Sequence, residues 1–135
     1  MTDLHVEIVT PFGVTYQADV ESCHIPGALG QFQVLKNHAA MLSLVNIGPI
    51  KIQEKTGVTQ YLATSGGFCE IDKNEVRIIV ESAELSDTIN VERAKEARDR
   101  AEKRLEQKLD AMDLDRARLA LARAFNRLKV AKFRK

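Results

Sequence analysis

From Asn90 to the last of its 135 residues the sequence has no proline and no glycine. All seven glycines and all three prolines fall earlier. No other feature restricts the fold as much, because these residues are the strongest local breakers of helix and strand. The tail is free to form long helices, and the front is cut into short pieces.

Those pieces read as strands. LHVEIVT alternates apolar and polar side chains, Pro11-Phe12-Gly13 interrupts it, and VTYQADV resumes the alternation. QFQVL, PIKIQE, TQYLAT and EVRIIVE are further strand-like runs. Turns are expected at Ile25-Pro26-Gly27, Asn46-Ile47-Gly48-Pro49, Glu54-Lys55-Thr56-Gly57, Ser65-Gly66-Gly67 and Asp72-Lys73-Asn74. Many short strands at close spacing argue for an antiparallel sandwich or barrel.

After the polar connector Glu84-Leu85-Ser86-Asp87-Thr88 the period changes. Asn90 is placed to cap a helix. Val91, Ala94, Ala97 or Arg98, Ala101, Leu105, Leu109 and Met112 then follow at three- and four-residue steps. Asp113 is placed to cap a second helix, whose apolar seam is Leu114, Ala117, Leu121, Ala124, Leu128 and Ala131. A short joint near Met112 implies an antiparallel hairpin. The expected class is α+β: an N-terminal antiparallel β-sandwich over 1–86, then a C-terminal two-helix hairpin over 87–135. Alanine in the seam buries little area, so the hairpin needs a dock and is able to leave it.

Charge divides along the chain. Residues 1–86 hold five Lys/Arg against ten Asp/Glu, 87–113 hold seven against eight, and 114–135 hold eight against one. Such asymmetry marks an interaction surface. No apolar run approaches the roughly 18 residues needed to cross a bilayer. MTDLHVEIVT lacks the basic and apolar regions of a signal peptide. Cys23 and Cys69 fit no metal spacing and no CxxC pair, and read as reduced core cysteines.

Folding the hairpin about Met112 puts Arg100, twelve residues before, level with Arg123, eleven after. Arg127 follows Arg123 by four and Arg93 precedes Arg100 by seven, so four arginines from two helices converge. A solvated face is the simpler reading for the first helix, where Glu96 is spaced to pair with Arg100 and Asp99 with Lys95 and Lys103. Arg123 and Arg127 have no acid within four residues. Guanidinium forks suit phosphate oxygens. With no P-loop and no GxGxxG, such a site binds nucleotide without hydrolysing it.

VTPFGVTYQADV, IPGALGQFQVLKNHA, SGGFCEIDKNEVRIIVESAE and the two-helix tail, in this order and spacing, resemble the epsilon subunit of bacterial ATP synthase over nearly the whole chain. Gln33 and Lys36-Asn37 stand where the family often has glycine and Pro-Gly. The resemblance implies a ten-stranded sandwich and a noncatalytic place on the rotor of a proton- or sodium-driven synthase. It implies contact with the gamma subunit and the c-ring, as a peripheral protein on the cytoplasmic face of the bacterial cell membrane. It also implies restraint of ATP hydrolysis by the hairpin, folded on the sandwich or extended toward the beta and alpha subunits. The basic second helix, with Arg116, Arg118, Arg123, Arg127 and Lys129, then suits an acidic segment of beta.

Bacillus-type members bind ATP at the folded hairpin through I/L-D-x-x-R-A. The matching text here is Ile89-Asn90-Val91-Glu92-Arg93-Ala94, with Asn90 in place of the carboxylate. Glu84, Arg100, Arg123 and Arg127 correspond to the family's further site positions. The implied ligand is ATP, with or without Mg, as a regulator; no catalytic cofactor and no resident metal is implied. Asn90 keeps the cap and loses a charged acceptor worth roughly 1 kcal/mol, and ATP is still expected to bind.

His38 reads as a structural hydrogen-bonder, and His5 and His24 have no evident partner. Phe125 and Phe133 read as contact residues. Nucleic-acid binding through the basic tail is a weaker alternative, since no DNA or RNA module is present and the front is acidic. No nucleophile, base and orienter occur together, so no enzyme is read here.

Overall fold

The computed structural model describes residues 3–134. Met1, Thr2 and Lys135, which the division at 86/87 included, lie outside the described residues.

Among the described residues nine strands precede two helices. They are β1 (Leu4–Thr10), β2 (Gly13–Gly27), β3 (Gly30–Val34), β4 (Met41–Val45), β5 (Gly48–Glu54), β6 (Thr59–Thr64), β7 (Gly67–Asp72), β8 (Glu75–Val80) and β9 (Ala83–Leu85). A 3-10 turn at Ser86–Thr88 leads to α1 (Val91–Leu105) and α2 (Ala111–Ala131). The strands run β1-β8-β7-β4-β2-β5-β6-β9, with β3 on β2 and β1 closing back onto β2. Pairing is antiparallel except β1 with β8, which is parallel.

The count is nine rather than ten because β2 does the work of two strands. Its first half pairs with β1, and its second half pairs with β3 and β5 past a register shift between Val20 and Ser22. Such a shift bends a strand and lets it turn a corner between layers. Ile25-Pro26-Gly27 is therefore strand and not turn: Pro26 pairs with Gln31, and the reversal falls at Ala28-Leu29. Gly30 takes the positive φ of 125° that this tight reversal requires. Likewise Gly48-Pro49 open β5, and Glu84-Leu85 belong to β9, paired with Ala63 and Leu62. Asn37 holds a left-handed φ of 65°, the conformation for which glycine or asparagine is the usual residue.

Period-two alternation fills the core. Leu4, Val6 and Ile8 of β1 face Val76, Ile78 and Val80 of β8. Val20, Ile25, Ile50, Ile52 and Leu62 join them, as do both cysteines, which are buried and free. Burial in this apolar interior pushes the thiols of Cys23 and Cys69 above the ordinary cysteine range.

The helices start where side chains cap them. Asn90 Oδ1 accepts from the Arg93 amide at 3.0 Å. The second cap is Asp110, accepting from the Asp113 amide at 2.8 Å, and not Asp113 itself. The joint thus occupies 106–110, several residues before Met112, because α1 ends at Leu105 without a glycine and the next capping side chain in reach is Asp110. Ala94, Ala101, Ala117 and Ala124 form the buried seam.

Candidate functional site

The hairpin lies against the β5–β6–β9 edge of the sandwich, and α2 makes the contact. A small second core joins them: Ala63 on β6, Ile89, Val130 and Ala131, with Tyr61 and Val91 packed alongside. Of the buried members only Ile89 and Val130 are large, and each contributes about 1.5–3 kcal/mol when fully buried. Phe133 stacks on Tyr61 with centroids 4.1 Å apart, and Arg134 donates to the Ile89 carbonyl at 2.7 Å. Asn126, only 8% exposed, donates through Nδ2 to the carbonyls of Gly48 at 2.8 Å and Thr64 at 3.3 Å.

A cavity of about 300 Å³ opens at this junction. Glu84, Arg123 and Arg127 supply its charge; Ser65, Ser82 and Asn126 supply neutral polar groups; Ala97, Ala120 and Ala124 supply the small helical wall. Arg127 Nη2 donates to Glu84 Oε2 at 3.2 Å. Arg127 Nε sits 2.8 Å from Glu84 Oε1, but its N–H is poorly aligned and forms no hydrogen bond. The pair is a side-on ion pair. Small helical residues and an arginine without an acidic partner fit a phosphate-bearing ligand.

Each residue expected at a nucleotide site has a definite place. Glu84, Arg123 and Arg127 share the cavity wall. Asn90 is exposed, and its side-chain oxygen is occupied as the α1 cap. Ile89 and Ala94 are buried, at the dock and in the helix seam. Arg93 and Arg100 are exposed and do not line the cavity. The joint at 106–110 changes the expected levels. Arg100 stands eight residues before its midpoint and Arg123 fifteen after, an offset of about 10 Å at 1.5 Å per residue. By the same count Arg93, fifteen before, is level with Arg123.

The expected pairs on α1 do not form. Lys95 meets Glu92 at 3.8 Å and Arg98 meets Asp99 at 3.1 Å. Among the described residues no carboxylate lies within ion-pair distance of Arg93, Arg100 or Arg123. On the outer face of α2, Arg116 and Arg118 are exposed, 3.9 Å from Asp113 and 4.0 Å from Asp115. Lys129 lines a second groove, about 720 Å³, with Lys95, Arg98 and Lys132 around an apolar floor of Val91 and Leu128. His5 does have a partner, Asp19 at 2.9 Å, and His38 bonds the Ala39 carbonyl.

Sequence reading missed Asn126, Thr64, Ser65 and Ser82. Asn126 left one faint signal, an amide between Phe125 and Arg127 in a helix otherwise charged or apolar.

A β-sandwich bearing a docked helical hairpin, with a basic cavity at the dock, defines the class to which the comparisons point. Residues 3–86 match the beta-sandwich domain of the ATP synthase Delta/Epsilon chain, and residues 87–132 match its long alpha-helix domain. The chain therefore belongs to the ATP synthase delta/epsilon chain family, and similar relatives within it are epsilon chains. The ATP synthase epsilon chain of Staphylococcus haemolyticus is 42% identical, with 99% of this chain and 100% of that one covered. That of Bacillus pumilus is 42% identical over 97% and 98%. That of Halalkalibacterium halodurans is 41% identical over 97% and 98%. A chain in the structure of the Euglena gracilis mitochondrial ATP synthase, comprising OSCP, F1 and c-ring, has the same fold, with a TM-score of 0.83 at 19% identity. It is covered over 82% of its length by 98% of this chain. No helix among the described residues is long and apolar enough to cross a membrane.

Proposed function

We propose that this chain is a noncatalytic subunit of the rotor of a proton- or sodium-driven ATP synthase. In this reading the sandwich joins the gamma subunit to the c-ring, and the hairpin restrains ATP hydrolysis when it leaves the sandwich and meets beta and alpha. ATP in the cavity between Glu84, Arg123 and Arg127 holds the hairpin folded. The assembly sits at the cytoplasmic face of the bacterial cell membrane.

One observation carries the reading: the hairpin rests on the sandwich through two large buried side chains and a few polar contacts, with a basic cavity at the joint. A dock of that size stabilises the folded form by a few kcal/mol. A ligand that binds only the folded form adds about 2.7 kcal/mol when present at a hundred times its Kd, comparable to the dock itself.

Titration calorimetry of the isolated chain with ATP tests the ligand. Heat of binding at or below millimolar ATP is expected, weakened about tenfold or more in Arg123→Ala. No heat at millimolar ATP removes ATP from this cavity. Hydrolysis by the whole complex, with and without everything after Thr88, tests the brake. The shortened subunit is expected to assemble and to release hydrolysis, and equal latency would assign the restraint elsewhere.

A further inference from the structure

We infer that Asn126 is the positioning residue of the docked hairpin: its carboxamide sets the rotation and register of α2 on the sandwich, and so places Arg123 and Arg127 on the cavity wall.

The buried apolar part of the dock does not specify a register, and the other directional contacts, from Arg127, Phe133 and Arg134, are made by longer side chains nearer the surface or the helix end. Alanines dominate the helix seam, and the apolar dock is small, so a slipped or rotated α2 buries nearly the same area. Directional contacts remove that degeneracy. Gly48 and Thr64 face each other at the start of the β5–β6 pairing, and their carbonyls converge on one point. An amide nitrogen carries two protons and meets two acceptors; the amide oxygen cannot. Asn126 is buried where it does this. Rotation of α2 carries Asn126, Arg123 three residues before and Arg127 one residue after as a rigid set. A misplaced α2 leaves a buried carboxamide without acceptors, a recognised way in which one polar group selects a single packing.

Replacement by aspartate makes the inference testable, since a carboxylate has no proton to offer two carbonyls. The charged groups around the position are Glu84, Arg127 and Arg123 on the shared cavity wall, and Arg127 is already paired with Glu84. The docked acid titrates above its undocked value, so docking of this variant is kept at low pH and lost as pH rises.

Spin labels at Glu70→Cys and Lys108→Cys, both exposed sites, report the hairpin–sandwich distance in the full chain, because the native cysteines are buried. The parent is expected to give one and the same distance from pH 5 to pH 8. Asn126→Asp should lower the docked-to-undocked ratio at least tenfold at pH 8 and recover most of it at pH 5. Asn126→Ala should show a smaller loss with no pH dependence. An aspartate variant docked like the parent at pH 8, or one whose loss matches alanine at both pH values, overturns the assignment.

The nucleotide arm rests on the proposed function and is read separately. The apparent Kd for ATP should rise in inverse proportion to the docked fraction that remains. A parent that binds no ATP while docking still responds to Asn126→Asp refutes the nucleotide and keeps the positioning role. Unresponsive docking refutes the positioning role whatever ATP does.

Discussion

Arg127 on α2 meets Glu84 on β9 side-on across the junction, Nε 2.8 Å from Oε1 and Nη2 3.2 Å from Oε2. Their side chains retain 25% and 33% exposure, so solvent screens the attraction, and its net value is about 1 kcal/mol. A double-mutant cycle with Glu84→Gln and Arg127→Met should give a coupling of roughly 0.5–1 kcal/mol in hairpin docking. The coupling should shrink at 1 M salt. Zero coupling at low salt would make the contact incidental.

Asn90 already spends its side-chain oxygen on the Arg93 amide. Asn90→Ala should cost about 1 kcal/mol of helix stability, and Asn90→Asp should cost nothing, because it retains the acceptor and adds favourable charge at a helix start. Helical circular dichroism on heating measures both.

Tyr16 donates a hydrogen bond to Glu54, and burial together with that carboxylate pushes its phenol well above the ordinary tyrosine range. A raised folded pKa contributes stability that is fully present below the unfolded value of about 10 and lost as pH rises beyond it. Alkaline unfolding should therefore begin above about pH 10, and Tyr16→Phe should flatten that dependence. Denaturant midpoints from pH 8 to pH 11 give the slopes to compare.

Both thiols are buried and raised, so the thiolate that reacts with a disulfide reagent is scarce in the native chain. Native protein should show no fast-reacting thiol, and urea should release two. A rapid stoichiometric reaction without denaturant would contradict the packing of β2 against β7.

Strand and helix periods were legible because each depends on nearest neighbours along the chain. LHVEIVT and EVRIIVE became β1 and β8 almost residue for residue. MLSLV does not read as a strand by pattern, since Leu42 and Leu44 project to solvent and their alternation lies on the outer face. Glu84-Leu85 looked like a connector because a three-residue strand has too little text to show a period. The joint was misplaced because Asp110 and Asp113 are equally good caps locally, and only the packing of α1 on α2 chooses between them.

The sequence by itself determined the two periods, the break between them, the Asn90 cap and the lopsided charge of the last helix. All follow from backbone sterics, side-chain periodicity and local hydrogen bonding. Only the tertiary structure decided which arginines share a cavity, that Glu84 neutralises Arg127, and that Asn126 seats the hairpin. Those depend on where a helix comes to rest against strands some forty to eighty residues earlier. That resting place is the outcome of burial and directional contacts summed across the junction, which no window of neighbouring residues contains.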